Sequence, residues 1–232
     1  MLEELKNLDN SLLVALNGSD SIYWDSVMWI VTKTTTWIPF LIIVLYLVAK
    51  NSNWRRTVLV VAALALTVLL ADQLSSGLIK PLVMRWRPTH DVTFLHTIDT
   101  VFGYTGGRYG FVSSHAANTF ALFAFLSLLF RSSMASVCFF LWACLSSYSR
   151  IYLGVHFPGD IFCGALLGLF VGGLVDWTYK RLLDRLVGEY TYTSPAYTSG
   201  GFLVSDMPLL LFALTGTCCI VLLAAIPLAN PY

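Results

Sequence analysis

The stretch TVLVVAALALTVLLADQLSSGLIKPLVMRWRP, residues 57–88, decides the class of this chain. From Thr57 to Ile79 only Asp72 carries a charge, and the run is long enough to cross a hydrocarbon core, which takes roughly 20 helical residues. It then ends in Lys80, Arg85, Arg87 and Pro88. Cations at the end of a span usually keep their charge at the interface, so such a cluster beside an apolar segment requires a reason.

The remainder of the chain has the same character. Of its 232 residues, 57% are hydrophobic and 12% charged, too apolar for a soluble domain of this length. Further apolar segments run over Trp37–Ala49, Ser114–Phe130, Ser133–Tyr148, Phe157–Tyr179 and Met207–Pro227. Leu2, Leu5, Leu8, Leu12, Leu13 and Leu16 recur at helical spacing among charges, predicting an amphipathic helix at the membrane interface. A second interfacial helix is expected from Ser21 to about Lys33. The predicted fold is therefore all-α, a polytopic membrane bundle of six transmembrane helices preceded by interfacial amphipathic helices over 1–33. One integral membrane domain covers 1–232. Its catalytic core is expected over 57–179, a cytoplasmic linker over 187–206, and the last transmembrane helix over 207–228.

The five cysteines lie in apolar stretches without metal-ligand spacing, so they read as core or lipid-facing residues. The acidic, amphipathic opening Met1-Leu-Glu-Glu-Leu-Lys predicts no cleaved signal peptide. A net charge of +1 with no basic run argues against a nucleic-acid partner. No obligate protein partner is evident.

Alternating spans place three polar stretches on one face: Lys80–Pro88, Val112–His115 (VSSH) and Ser149–Asp160 (SRIYLGVHFPGD). Lys50, Arg55, Arg56, Arg131, Lys180, Arg181 and Arg185 fall on the other. By the positive-inside tendency that other face is cytoplasmic, and the three stretches face outward. The long loop from Pro88 to Phe111, glycine-rich near its end, can fold over them.

Their residue types suit phosphoryl transfer. Lys80, Arg87 and Arg150 can hold non-bridging phosphate oxygens, arginine gripping two at once. His156 and Asp160 are four apart, with Pro158 suited to a first helical turn, so the carboxylate can orient one ring nitrogen and leave the other to attack phosphorus. His115 is then the acid for the leaving oxygen and the base for water. Ser113, Ser114 and the amides opening the third span form an anion cradle. No metal and no cofactor are expected.

These residues resemble the type 2 phosphatidic acid phosphatase superfamily, with its signature K-x6-RP, PSGH and SR-x5-H-x3-D. Lys80, Arg87 and Pro88 match the first part; Ser149, Arg150, His156 and Asp160 match the third. The middle part keeps Ser113 and His115, with Val112 and Ser114 in place of proline and glycine. The resemblance, over about Thr57 to Tyr179, implies a metal-independent lipid phosphatase with a phosphohistidine intermediate. Its substrate would be a lipid phosphomonoester or pyrophosphate: undecaprenyl pyrophosphate, lipid A phosphate, phosphatidylglycerol phosphate or phosphatidate. The expected setting is a bacterial inner membrane with the site facing the periplasm. A lipid phosphotransferase or a lipid-phosphate binding or transport protein are the alternatives.

Outside the motifs, Lys50, Arg85, Arg131 and the Lys180–Arg181 pair read as snorkelling anchors. His90 and His96 read as loop residues, and Asp72, Gln73, Ser75 and Ser76 as a packing patch within a span. Gly164, Gly168 and Gly172 predict close helix packing that positions Asp160.

Overall fold

The structure, a computed structural model, describes residues 2–94, 96–186, 188 and 194–229. Its described residues are built from helices joined by loops, as expected. These are α1 (Leu2–Leu16), α2 (Ile22–Val31), α3 (Ile38–Lys50), α4 (Trp54–Asp72), α5 (Lys80–Val83), α6 (Ser114–Phe130), α7 (Ser133–Tyr152), α8 (Pro158–Leu186) and α9 (Pro208–Ala229). Of the linker expected over 187–206, residues 187 and 189–193 lie outside the described residues.

Polar caps set several of the helix starts. The side chains of Asn53, Ser113 and Ser132 accept from the amides of Arg56, Ala116 and Ala135, each satisfying a donor that has no partner inside its helix. Between α4 and α5 the helix continues as a π-helical turn, Gln73–Ile79, over the polar patch that interrupts the apolar run. Such a turn shifts the helix register locally and is frequent at functional sites.

Four helical stretches are long and apolar enough to cross a membrane: Trp54–Val83, Ser133–Tyr152, Pro158–Leu186 and Val204–Ala229. Ile22–Val31 and Thr34–Lys50 together qualify as a fifth, broken by a 71° bend. Ser114–Phe130 is apolar but shorter, so a count of six is compatible with these helices. At the bend, the indole nitrogen of Trp37 donates to the carbonyl of Val31 at 2.9 Å and the Thr36 hydroxyl to that of Ile30 at 2.6 Å. The carbonyls that lose helical partners there are thereby satisfied. α2, expected at the interface, also buries Val27 and Val31 and packs against α7 and α9.

α6 occupies the centre, flanked by α4, α7 and α8. A Cβ on Gly168 or Gly172 would run into the carbonyl oxygen of Ala117 or Ala121, and one on Gly164 would stand 2.6 Å from that of Ser113. The three glycines therefore let α8 lie directly on the α6 backbone, as their spacing predicted. This contact brings the first turns of the two helices side by side. There the Ser113 amide donates to the Asp160 carbonyl at 3.0 Å.

Candidate active site

The three motifs converge at the loop ends of α5, α6, α7 and α8. His156 lies in the α7–α8 connection and is 2% exposed; Asp160, in the first turn of α8, is fully buried. Nδ1 of His156 is 3.4 Å from Oδ2 of Asp160, which also accepts from the Phe157 amide at 3.1 Å. Nδ1 is thus the ring nitrogen that faces the carboxylate, the contact that the four-residue spacing predicts. Burial, then the charges of Arg87, Arg150 and Lys80, hold the imidazole well below its usual pKa. It is neutral, and its lone pair available, at physiological pH.

Arg87 and Arg150 are buried. The Arg87 Nε donates to the Tyr109 carbonyl at 3.2 Å and its Nη1 to that of Val155 at 3.4 Å. Burial, with Arg150 nearby, lowers its pKa to about 10, so it stays cationic at neutral pH. Arg150 Nη1 donates to the Thr32 hydroxyl at 2.7 Å and Nη2 to the Tyr104 hydroxyl at 3.3 Å, while its buried Nε has no partner. Lys80 Nζ donates to Ser114 Oγ at 2.7 Å. None of these three cations has a carboxylate partner in an ion pair among the described residues.

His115, in the first turn of α6, has Nε2 2.9 Å from the Ser146 hydroxyl. That contact fixes the orientation of the ring. Ser113 works as the helix cap and as the tie to Asp160, so its own amide is already engaged. Ser114 turns its hydroxyl to Lys80 and to Ser76, 2.7 Å away, which joins the polar patch on the π-helical turn to the site. The Pro88–Phe111 loop folds over the site, and two of its glycines meet Arg87, Asp160 and His156. A Cβ on Gly106 would stand 2.6 Å from Arg87 Nη1, and one on Gly110 would stand 2.8 Å from Asp160 Oδ2 and 3.6 Å from His156 Nδ1. Only glycine admits the loop this closely.

Sequence reasoning missed Thr32, Tyr104, Ser146 and the partners of Arg85. Ser146 carries a usable signal, one helical turn before Arg150 on α7. Thr32 and Tyr104 carry none, because they reach Arg150 from distant segments. Arg85 is no snorkelling anchor: its Nη1 lies 2.9 Å from Asp160 Oδ1 and its Nη2 2.7 Å from Asp9 Oδ2. His90 bonds its neighbour Thr89 in the loop. The described residues hold no group of three or more His, Cys, Asp or Glu side chains placed for a metal ion.

The fold of apolar helices thus gathers two histidines and three cations at one end, and comparison with known proteins gives the class of membrane phosphatases. Residues 56–183 match the PAP2 superfamily. The chain belongs to that superfamily and is a lipid phosphatase. It is 40% identical over 190 residues to a lipid A 4'-phosphatase of Bacteroides thetaiotaomicron, covering 82% of this chain and 84% of that one. A lipid A 4'-phosphatase of Porphyromonas gingivalis is 33% identical over 215 residues, with 93% and 90% covered. Among solved structures, Aquifex aeolicus LpxE superposes with a TM-score of 0.53 at 25% identity, covering 72% of this chain and 94% of that one.

Proposed function

We propose that this protein hydrolyses a phosphate monoester of lipid A, or of a lipid with a similar head group, through a phosphohistidine at His156. The observation that carries this reading is the set of cations at the site. Arg87 and Arg150 are buried, Lys80 is partly so, and none has an ion-pair partner among the described residues. Buried charge without a counter-charge is costly, and a phosphate supplies the missing anion. The unpartnered Nε of Arg150 is one donor for it.

Nε2 of His156 attacks phosphorus in line, forming a P–N bond as the P–O bond to the lipid breaks. His115, held as the imidazolium while the phosphate anion is bound and donating Nε2–H to the Ser146 hydroxyl, gives its Nδ1 proton to the departing oxygen and is left neutral. Water, giving a proton back to His115, then attacks phosphorus from the same side, breaking the P–N bond and releasing phosphate. Lys80, Arg87 and Arg150 stabilise the equatorial oxygens in both steps without moving, which is the source of most of the rate.

A groove of about 870 Å³ opens beside this centre, lined by Leu5, Leu8, Leu12, Phe111, Phe162 and Cys163. It borders Arg85 and Gly159, next to Asp160, and supports a lipid tail lying alongside α1. The similarity to two lipid A 4'-phosphatases over most of the chain favours lipid A among lipid phosphates. The cations gathered on the opposite face, by the positive-inside tendency, support an inner-membrane enzyme whose site faces the periplasm.

The test is phosphate release in detergent from lipid A, undecaprenyl pyrophosphate, phosphatidylglycerol phosphate and phosphatidate, with chelator present. Lipid A is expected to turn over fastest. Faster release from undecaprenyl pyrophosphate would overturn the substrate assignment. Wild-type rates from His156→Ala would overturn the mechanism.

A further inference from the structure

Both oxygens of the buried Asp160 carboxylate are engaged, and only one of them serves His156 directly. The other, Oδ1, is 2.9 Å from Nη1 of Arg85. The far side of the same guanidinium, Nη2, is 2.7 Å from Oδ2 of Asp9 on α1. The second oxygen of Asp9 accepts from the Gly159 amide at 2.7 Å, in the first turn of α8. The Arg85 guanidinium also lies over the Phe157 ring, 4.0 Å from its centroid. A continuous line of contacts thus runs from the N-terminal helix through Arg85 and Asp160 to the nucleophile.

We infer that Arg85 and Asp9 are positioning residues for His156, which makes α1 part of the catalytic apparatus as well as a membrane-surface helix. The inference rests on reading His156 and Asp160 as nucleophile and orienting carboxylate.

The physical grounds are those of a planar carboxylate that turns about its Cβ–Cγ bond, a broad and weakly restrained torsion. Held at Oδ2 alone, it can swing out of line with the imidazole; held at both oxygens, it cannot. Arg85 can grip Oδ1 only while its own long side chain is fixed, because its side chain remains 29% exposed and free to turn toward the groove. Asp9 fixes it from one side and the Phe157 ring from the other. Asp9 also pins the backbone at Gly159, one residue from Asp160, so one carboxylate on α1 sets both the backbone and the side chain of the orienting group. The three residues lie far apart in the chain and meet through packing of α1 on α7 and α8.

The experiment measures kcat and KM for the lipid phosphate turned over fastest, in purified full-length Asp160→Asn, Arg85→Met, Arg85→Lys, Asp9→Asn, Asp9→Glu and the double variant Asp9→Asn/Arg85→Met. Thermal melting in detergent accompanies each one. Loss of an outer positioning contact is expected to lower kcat about 10- to 100-fold for Arg85→Met and about 10-fold for Asp9→Asn, with KM within about twofold. Because the two act in series, the double variant is expected to be no slower than Arg85→Met within about twofold. Asp9→Glu and Arg85→Lys keep the charges and recover part of the rate at wild-type melting temperature.

A lowered kcat in Asp160→Asn beside unchanged kcat in both Asp9→Asn and Arg85→Met would overturn the inference and leave the catalytic pair standing. So would a raised KM at unchanged kcat, which makes α1 a substrate-docking helix only, or effects that multiply in the double variant. Unchanged kcat in Asp160→Asn takes the catalytic reading down and this inference with it.

Discussion

The hydroxyl of Ser114 sits 2.7 Å from the ammonium of Lys80, joining the position where the middle motif departs from its family pattern to the lysine that opens the first motif. A glycine there has no side chain to make this contact. Ser114 also holds Ser76, so one hydroxyl links α5, α6 and the π-helical turn. Ser114→Ala is expected to cost roughly 1.5–3 kcal/mol, the range for a hydrogen bond to a charged group, read as a lower melting temperature. Turnover should survive to within about tenfold, since Lys80 remains beside the site. Loss of activity at an unchanged melting temperature would show that the hydroxyl contacts substrate.

His156 should carry the phosphoryl group. After a brief reaction with radiolabelled substrate, alkaline denaturation is expected to preserve label on the wild-type chain and none on His156→Ala. The variant's kcat should fall at least about 10⁴-fold, as for other covalent nucleophiles. Label on any other residue would reassign the nucleophile.

The low pKa of His156 fixes the sign of a pH effect. Its attacking form is neutral and persists as pH falls below 6.5, so the acid limb of kcat/KM is not set by an ordinary histidine. Arg87→Gln removes one of the charges that depress it, so the imidazole protonates at higher pH and the acid limb moves upward in the residual activity. The phosphate monoester's own ionisation near pH 6 is common to both enzymes and drops out of the comparison. An unmoved limb in Arg87→Gln contradicts the charge coupling.

The α6–α8 contact has no spare room. Gly168→Ala places a methyl against the Ala117 carbonyl and 2.8 Å from the Ala121 amide nitrogen. Overpacking of this kind costs about 1–3 kcal/mol, visible in thermal melts. Activity should fall with stability, because the same contact ties the first turn of α6, at Ser113, to Asp160. A variant as stable and active as wild type would mean that the helices separate without consequence.

The groove along α1 predicts a chain-length effect. Leu8, on its wall, faces an apolar seat, so Leu8→Glu should raise KM for a long-chain lipid phosphate about tenfold or more and leave that of a dioctanoyl analogue within about twofold. Equal effects on both substrates would place the tail elsewhere.

Most of the candidate site was legible because its members are the wrong residues for their surroundings. Lys80, Arg87, Arg150, His156 and Asp160 interrupt apolar sequence at fixed spacing, and the spacing alone joins His156 to Asp160. Gly164, Gly168 and Gly172 announced the α6–α8 contact by the same kind of local repeat. Asp9 and Arg85 were not legible. Asp9 looks like the wet face of an amphipathic helix and Arg85 like one more interfacial cation, and their pairing spans 76 positions. Thr32 and Tyr104 are ordinary loop and cap residues until tertiary structure sets them against Arg150. The bend between α2 and α3 was also hidden, because it rests on side-chain bonds from Thr36 and Trp37 to carbonyls six residues back. Periodicity reports which face of a segment is apolar, and carries nothing about pairs made across the fold.

The shortness of α6 has its own consequence. At 17 residues and a rise of 1.5 Å each, it reaches about 26 Å, less than the roughly 30 Å of a hydrocarbon core. With its other end at the opposite interface, its first turn, with Ser114 and His115, would rise no higher than the lipid head groups. A phosphorylated lipid can reach it by sideways diffusion with its acyl chains still among their neighbours. The roughly 0.8 kcal/mol per methylene that lifting a lipid into water would cost never arises. An enzyme of that geometry would take phosphate from a leaflet in place, and the lipid it leaves behind would never leave the membrane.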